Sequence, residues 1–103
     1  MASEIVTNLV FLRAQAGKAG ELEAALRELA QETRNEGGSL VYEVQRSTAD
    51  SDEYLIYGIW RSKADLDAHM ETGAIQVFLG KVPTLVNGGF NLRLFTPVDV
   101  VRV

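Results

Sequence analysis

Cysteine is absent from this chain of 103 residues, and histidine occurs only once. Without cysteine there can be no disulfide, no thiol nucleophile and no thiolate ligand for a metal. The single histidine, His69, has no partner at HxH or HxxE spacing, and one imidazole alone does not hold a metal ion. We therefore expect no metal site, and any catalysis has to use other groups.

Positive charge and long apolar runs are also scarce. The formal net charge of −4 argues against nucleic acids and anionic membranes as partners, because both are recognised by basic surfaces. Near the N-terminus Glu4, Arg13 and Lys18 interrupt the apolar residues, so we expect neither a signal peptide nor a membrane span. The glycines form no nucleotide-binding motif. These absences predict a cytoplasmic protein that binds neither nucleic acid nor membrane.

The apolar residues alternate or recur at the spacings of strands and helices. They predict strands over residues 5–13, 39–47, 54–61 and 90–96, and helices over 22–35 and 62–83. We expect Thr72 and Gly73 to interrupt the second helix, Pro83 to end it, and residues 87–89 to form a loop. The order β-α-β-β-α-β is ferredoxin-like, an α+β fold with an antiparallel sheet and both helices on one face. A chain of this length fits one domain, residues 1–103.

Two of the predicted strands carry large apolar residues on both faces, whereas the helices can cover only one face of the sheet. The opposed sets are Ile5, Leu9 and Phe11 against Val6, Val10 and Leu12 on the first strand, and Tyr54, Ile56 and Trp60 against Leu55, Tyr57 and Ile59 on the third. Leaving one set in water would forfeit roughly 1.5 to 3 kcal/mol per side chain. A second copy is the simplest cover, so we predict a homodimer whose stacked sheets form an α+β barrel. The partner is also expected to bury an apolar tail comprising Val98, Val100, Val101 and Val103.

Three segments, residues 34–42 (RNEGGSLVY), 60–64 (WRSKA) and 66–69 (LDAH), resemble the antibiotic biosynthesis monooxygenase (ABM) family. In that family a Thr-Arg-x-Glu-Pro-Gly-Cys turn precedes a tyrosine, and Glu-x-Trp then precedes a helix bearing Leu-x-x-His. The resemblance implies a dimeric α+β barrel. In characterised branches it implies oxygenation of quinols or polyketide aromatics without metal, flavin or haem, so no cofactor is expected. Other members degrade haem or isomerise ketones derived from sugars.

The sequence departs from the family pattern at several positions. The glutamate two residues before the tryptophan is Gly58 here, and the Pro-His pair after the helix is Gly73-Ala74. Compared with the polyketide-oxidising branch, an asparagine is replaced by Ile56 and a tyrosine by Leu66. Of that branch's site residues, the resemblance therefore carries over only the tryptophan, Trp60.

Five side chains are candidates for a functional site. Histidine is the side-chain type whose ordinary pKa lies nearest neutrality, which makes His69 the natural base for a phenol or enol, with a surface or capping role as the alternative. Trp60 could stack on an aromatic ring or donate to bound oxygen, or simply pack in the core. Asn8 needs either a ligand or a buried hydrogen-bond partner among its apolar neighbours. We predict that His69 and Trp60 are catalytic. Asn8, Tyr42 and Tyr57 are predicted to bind substrate.

Two functions from different classes follow from these residues. The first is a cofactor-independent monooxygenase in which His69 deprotonates a quinol or polyketide-type aromatic and the resulting carbanion reduces dioxygen. The second is a non-catalytic homodimer that binds a small aromatic or hydrophobic molecule, which the missing glutamate and second histidine favour. A haem-handling protein of the same fold is a third alternative.

Overall fold

Residues 4–99 are described by a computed structural model. The elements are β1 (Val6–Ala14), α1 (Ala19–Thr33), β2 (Ser39–Arg46), β3 (Glu53–Trp60), α2 (Lys63–His69), α3 (Gly73–Leu85) and β4 (Val86–Phe95). The four strands form one antiparallel sheet in the order β2-β3-β1-β4. This arrangement confirms the predicted ferredoxin-like fold, with the second helix divided into α2 and α3.

The strand register gives the sheet two chemically different faces. Asn8 lies opposite Gly58, and Val10 lies opposite Ile56; these residues belong to the inner face, which packs against the helices. Successive strand residues point to opposite faces, so Leu9 and its partner Tyr57 belong to the outer face. The two apolar sets predicted for β3 therefore lie on opposite faces, as the alternation indicates.

The helices present a narrow apolar stripe to the inner face. In α1 the buried side chains recur at intervals of three and four residues, which is the period of one helix face. They are Leu22, Ala25, Leu26, Leu29, Ala30 and Thr33. The break between α2 and α3 has a local cause, because Thr72 Oγ1 accepts a hydrogen bond from the amide of Ile75 at 3.4 Å and so caps a new helix.

Two predictions around β4 are wrong. Pro83 does not end the helix: α3 continues to Leu85, because Leu85 and Val86 are buried in the core and hold the last turn in place. Residues 87–89 do not form a separate loop but lie within β4, as a bulge between the pairs Ala14–Val86 and Leu12–Phe90. Gly88 and Gly89 have φ angles of 79° and 78°, which glycine adopts without a steric penalty.

Within residues 4–99 no helix covers the outer face. Phe11 and Phe95 on this face are 39% and 44% exposed. Leu9, Leu55, Tyr57 and Ile59 are partly exposed. Of the predicted apolar tail, Val98 is 98% exposed, and Val100, Val101 and Val103 lie outside the described residues. The outer face therefore remains an apolar surface within residues 4–99.

Candidate functional site

A cavity of about 160 Å³ lies between the inner face and helices α2 and α3. Its wall is largely apolar, and the polar side chains in it are Asn8 and Tyr42 on the sheet and Lys63 and Asp67 on α2. The apolar wall comprises Val10, Leu12, Ile56, Leu66, Met70, Ile75, Phe78, Leu79, Phe90, Leu92 and Leu94. Apolar cavities with a few convergent polar groups are typical of small-molecule sites.

Asn8 and Trp60 form the central hydrogen bond behind this cavity. The indole Nε1 of Trp60 donates to Oδ1 of Asn8 at 2.7 Å, and both side chains are buried. Indole can only donate, so the amide must turn its oxygen toward Trp60 and its NH2 group away. Asn8 Nδ2 has no hydrogen-bond partner within residues 4–99. Every fully buried side-chain nitrogen or oxygen in that range has one, so Nδ2 is not fully buried. Because Asn8 lines the cavity, we infer that its NH2 group faces that cavity.

Gly58 makes room for the Asn8 side chain. Its position pairs with Asn8 across the sheet, and a Cβ atom there would collide with Asn8 Oδ1 and lie 3.2 Å from Trp60 Nε1. Any larger side chain would therefore displace the amide from the indole. In this geometry a glutamate at position 58, as in the family pattern, would prevent the Asn8–Trp60 hydrogen bond. Glycine at this position therefore has a structural consequence beyond the loss of a carboxylate.

His69 lies behind the cavity wall, in contact with aromatic residues. Its ring centroid is 4.7 Å from that of Trp60 and 5.5 Å from that of Tyr42. Its Nδ1 atom is 3.0 Å and 3.2 Å from the two carboxylate oxygens of Glu36. The residue is 3% exposed and does not contribute to the cavity wall. In one chain, His69 therefore acts on the cavity only through its neighbours.

Tyr42 supplies a hydroxyl that stays protonated. Burial raises the pKa of the Tyr42 phenol, and the negative charge of Glu36 raises it further, while a hydrogen bond with Thr33 opposes the shift. Burial favours the uncharged phenol because a buried phenolate would lose its stabilisation by water. The Tyr42 hydroxyl therefore stays protonated beside Thr33 and Glu36 and does not act as a base.

A larger groove of about 310 Å³ lies between α1 and the β2 edge. Its floor is an exposed ion-pair network in which Glu23 accepts from Arg27 at 3.0 Å and from Arg46 at 2.7 Å. These guanidinium groups are already paired, and exposed pairs of this kind contribute little. We place the candidate site in the smaller cavity, where Asn8 and Tyr42 are buried and Asn8 is fixed by Trp60.

The structure brings together four of the five predicted site residues. Asn8 and Tyr42 line the cavity, and Trp60 and His69 pack directly behind them. Tyr57 lies on the outer face, on the other side of the sheet from the cavity. Sequence reasoning missed Glu36 and the pair formed at 2.7 Å by Lys63 and Asp67 in the wall. The only available signal for that pair was its i, i+4 spacing on a helix.

Other classes of site find no support among the described residues. Residues 4–99 contain no group of three His, Asp or Glu side chains placed to hold a metal ion. None of the helices in that range combines the length and apolarity needed to cross a bilayer. The cavity is open on the side of Phe90, Leu92 and Leu94, which are 45%, 48% and 43% exposed, and the haem-handling alternative stays a prediction.

Residues 5–81 match the model of the family described as antibiotic biosynthesis monooxygenase. The chain belongs to this family. The match confirms the resemblance inferred from the three sequence segments, and it includes Asn8, Tyr42, Gly58, Trp60 and His69. It ends before β4, so the strand that completes the cavity wall lies outside the matched range. A comparison with curated proteins gave no match.

Solved structures share the fold over nearly their whole length. The protein PA3566 of Pseudomonas aeruginosa is 25% identical, with a TM-score of 0.89 and coverage of 96% of this chain and 99% of that one. SO0527 of Shewanella oneidensis is 26% identical, with a TM-score of 0.87 and coverage of 92% of both chains. A candidate antibiotic biosynthesis monooxygenase of Deinococcus radiodurans is 22% identical, with a TM-score of 0.86 and coverage of 95% and 97%; at that identity the likeness concerns the fold alone.

Proposed function

We propose that this ABM protein is a small monooxygenase that uses dioxygen to oxidise a quinol or related phenol without a cofactor. The observation that carries the proposal is the Asn8 amide, which Trp60 holds at 2.7 Å with its NH2 group facing an apolar cavity. Such a donor recognises an oxygen atom on an otherwise apolar ligand. A cytoplasmic location remains a prediction from the sequence.

The volume of the cavity matches about one aromatic ring. A cavity of about 150 Å³ lined by aliphatic and aromatic side chains is known to hold benzene, and this cavity is of about 160 Å³. A polyketide of three fused rings would extend beyond this volume, over the half-exposed side chains of Phe90, Leu92 and Leu94. We therefore favour single-ring quinols and phenols over the polyketide-type substrates implied by one branch of the family.

The proposed reaction balances without a metal, flavin or haem. A quinol and dioxygen yield a hydroxyquinone and water: one oxygen atom forms a C–O bond on the ring, and the other leaves as water. The ring supplies all four electrons that dioxygen accepts. The phenolic proton passes to solvent and is taken up again in the water that leaves, and the Asn8 NH2 group would stabilise the oxyanion that forms, as preorganised donors do in other enzymes.

For the other four predicted site residues we propose roles that differ in part from those expected from the sequence. Tyr42 is proposed to bind the ligand through the part of its side chain that lines the cavity, because its hydroxyl lies beside Thr33 and Glu36. Trp60 and His69 are proposed to position Asn8, because neither lines the cavity in one chain. Direct proton abstraction by His69, as the sequence suggests, requires its ring to reach the ligand and remains a prediction. We assign no ligand contact to Tyr57.

Oxygen uptake with a panel of quinols tests the proposed activity. We expect consumption above the enzyme-free rate for hydroquinone and methylhydroquinone, little for a three-ring anthrone, and reduced rates for Asn8→Leu. With labelled dioxygen, one labelled atom should enter the product. No uptake above the blank across the panel, or uptake without label in the product, would contradict the proposal.

A second candidate function is non-catalytic binding of a small aromatic molecule. One observation favours it: the buried part of the cavity wall contains no side chain that usually acts as a base. His69 lies behind the wall, and Lys63 and Asp67 are exposed. Binding of phenol with no turnover of any quinol would favour this function over the first.

We also propose that the protein is a homodimer formed through the outer face. Several large apolar side chains are only partly buried on this face. The guanidinium carbon of Arg93 also lies there, 5.2 Å from the ring centroid of Phe95. Full burial of such a side chain is worth roughly 1.5 to 3 kcal/mol, while association costs about 4 to 15 kcal/mol. A patch of this composition can meet that cost when a second copy buries all of it.

A further inference from the structure

We infer that Glu36 is a positioning residue for the candidate site, acting through His69 and Trp60 on the amide of Asn8. Its carboxylate lies within 3.0 Å and 3.2 Å of His69 Nδ1. Glu36 stands at the glutamate of the turn motif that the family resemblance matches, but neither the sequence pattern nor the family match assigns it a role. The inference rests on the proposed function only in its last step, the recognition of a ligand oxygen by Asn8.

The first step is the tautomer of His69. A carboxylate can only accept hydrogen bonds, so a neutral imidazole beside it must carry its proton on Nδ1. The ring is almost fully buried, at 3% exposure, and Glu36 is the acceptor recorded for it within the described residues. Glu36 therefore fixes both the tautomer and the orientation of the ring, as second partners of histidine do in other sites.

The second step is how Glu36 reaches a helix that follows it by 33 residues. Glu36 lies in the turn between α1 and β2, where its amide donates to Thr33 O at 2.9 Å. Gly38 in the same turn packs against α2 so closely that a Cβ atom there would collide with the side chain of Asp65. Gly38 O also accepts from the amide of Arg61 at 2.9 Å. The absence of a side chain at position 38 thus lets the turn approach α2 and place the carboxylate beside His69.

The third step is transmission from His69 to Asn8. The imidazole lies 4.7 Å from the indole of Trp60, with an angle of 39° between the rings. Trp60 is fully buried, and Tyr42 packs edge-on against it at 6.2 Å. A tilt of the imidazole has to move the indole, because close-packed interiors leave no free space to absorb it. The indole N–H in turn determines which way the Asn8 amide points.

The tautomer can be measured directly because His69 is the only histidine in the chain. Side-chain nitrogen NMR of ¹⁵N-histidine-labelled protein, at a pH where the ring is neutral, should show the Nδ1–H form. Glu36→Ala should lose this form, Glu36→Gln should keep it because an amide oxygen can still accept, and Glu32→Ala on the exposed side of α1 should match the wild type. An Nε2–H ring in the wild type, or the same tautomer in Glu36→Ala, would overturn the inference.

Transmission is measured by ligand affinity, with the change in fluorescence of the single tryptophan, Trp60, as the signal. We expect Glu36→Ala to weaken phenol binding by about 3- to 10-fold, the worth of one hydrogen bond, with toluene binding unchanged and Glu36→Gln close to the wild type. Equal phenol affinity in Glu36→Ala and wild type would overturn the link to Asn8. Should wild-type protein bind no phenol, the proposed function fails, whereas the tautomer result alone decides whether Glu36 positions His69.

Discussion

The two faces of the same sheet are built from alternate residues of the same strands, yet they serve different ends. On the inner face, Asn8 and Trp60 form a buried hydrogen bond beside a cavity. On the outer face, Leu9 and Tyr57 pair across the same two strands and present apolar surface that no helix covers. The candidate ligand site and the proposed partner surface thus lie only one side-chain layer apart.

The largest expected effect is on the inner face. Trp60→Ala should destabilise the protein by about 3 to 5 kcal/mol, because it removes a fully buried ring and leaves a cavity, and it also removes the donor to Asn8. Chemical denaturation measures the loss. Val77→Ala, which truncates a 59% exposed side chain, is the control. A loss below about 1 kcal/mol would mean that the inner face is not the well-packed core that the buried area indicates.

The outer face is tested by its effect on association. Tyr57→Lys should convert a dimer into monomers, because it places like charges across a two-fold contact, while the free energy of unfolding of each chain changes far less than in Trp60→Ala. Light scattering at micromolar concentration gives the mass. Gln31→Lys adds the same charge to the exposed side of α1 and should leave the mass unchanged. A monomeric wild type would contradict the proposed use of this face.

Gly58 tests the packing of the inner face, because the Asn8 side chain occupies the space that a side chain at position 58 would need. Gly58→Ala should cost about 1 to 3 kcal/mol through overpacking against Asn8 and should weaken phenol binding. Gly80→Ala is the matched control: a Cβ there contacts nothing within 4 Å, and alanine is favoured over glycine inside a helix by about 0.5 to 1 kcal/mol. Equal effects of the two changes would contradict the close approach of Asn8 to position 58.

The smallest expected effect concerns the ionisation of Tyr42 on the inner face. Because burial raises its pKa in the folded state, Tyr42 contributes stability that is present below the pKa of an unfolded tyrosine and is lost as the pH rises through the folded value. Tyr42→Phe should therefore lose less stability than the wild type on passing to strongly alkaline pH. Denaturation curves across that range measure the slope, and identical slopes would contradict the burial of the phenol.

The alternation of apolar residues predicted the fold well because it records strand faces directly. Leu55, Tyr57 and Ile59 were assigned to one face and Ile56 and Trp60 to the other from their spacing, and the register confirms this. The same local reasoning failed at Pro83 and at residues 87–89, where the burial of Leu85 and Val86 extends the helix and a bulge accommodates the glycines in β4. Local signals were overridden there by contacts with distant residues.

The candidate site was only partly accessible from sequence. Asn8 was found because a buried amide on an apolar strand requires a partner, and that partner proved to be Trp60, which lies 52 residues away. Glu36 belongs to the turn motif that resembles the family, but its role gave no such signal, because its proximity to His69 depends on how that turn docks on a helix. Gly58 was interpreted as the loss of a catalytic group, whereas its structural role becomes visible only when the Asn8 side chain is placed across the sheet.

The central claim is that the Asn8 amide recognises an oxygen atom in the cavity, and calorimetry of phenol and toluene binding tests it most directly. The wild type should bind phenol more tightly than toluene by about 3- to 10-fold, the worth of one hydrogen bond, and Asn8→Leu should remove this preference while still binding toluene. Equal affinities for the two ligands in the wild type, or an undiminished preference for phenol in Asn8→Leu, would contradict the account.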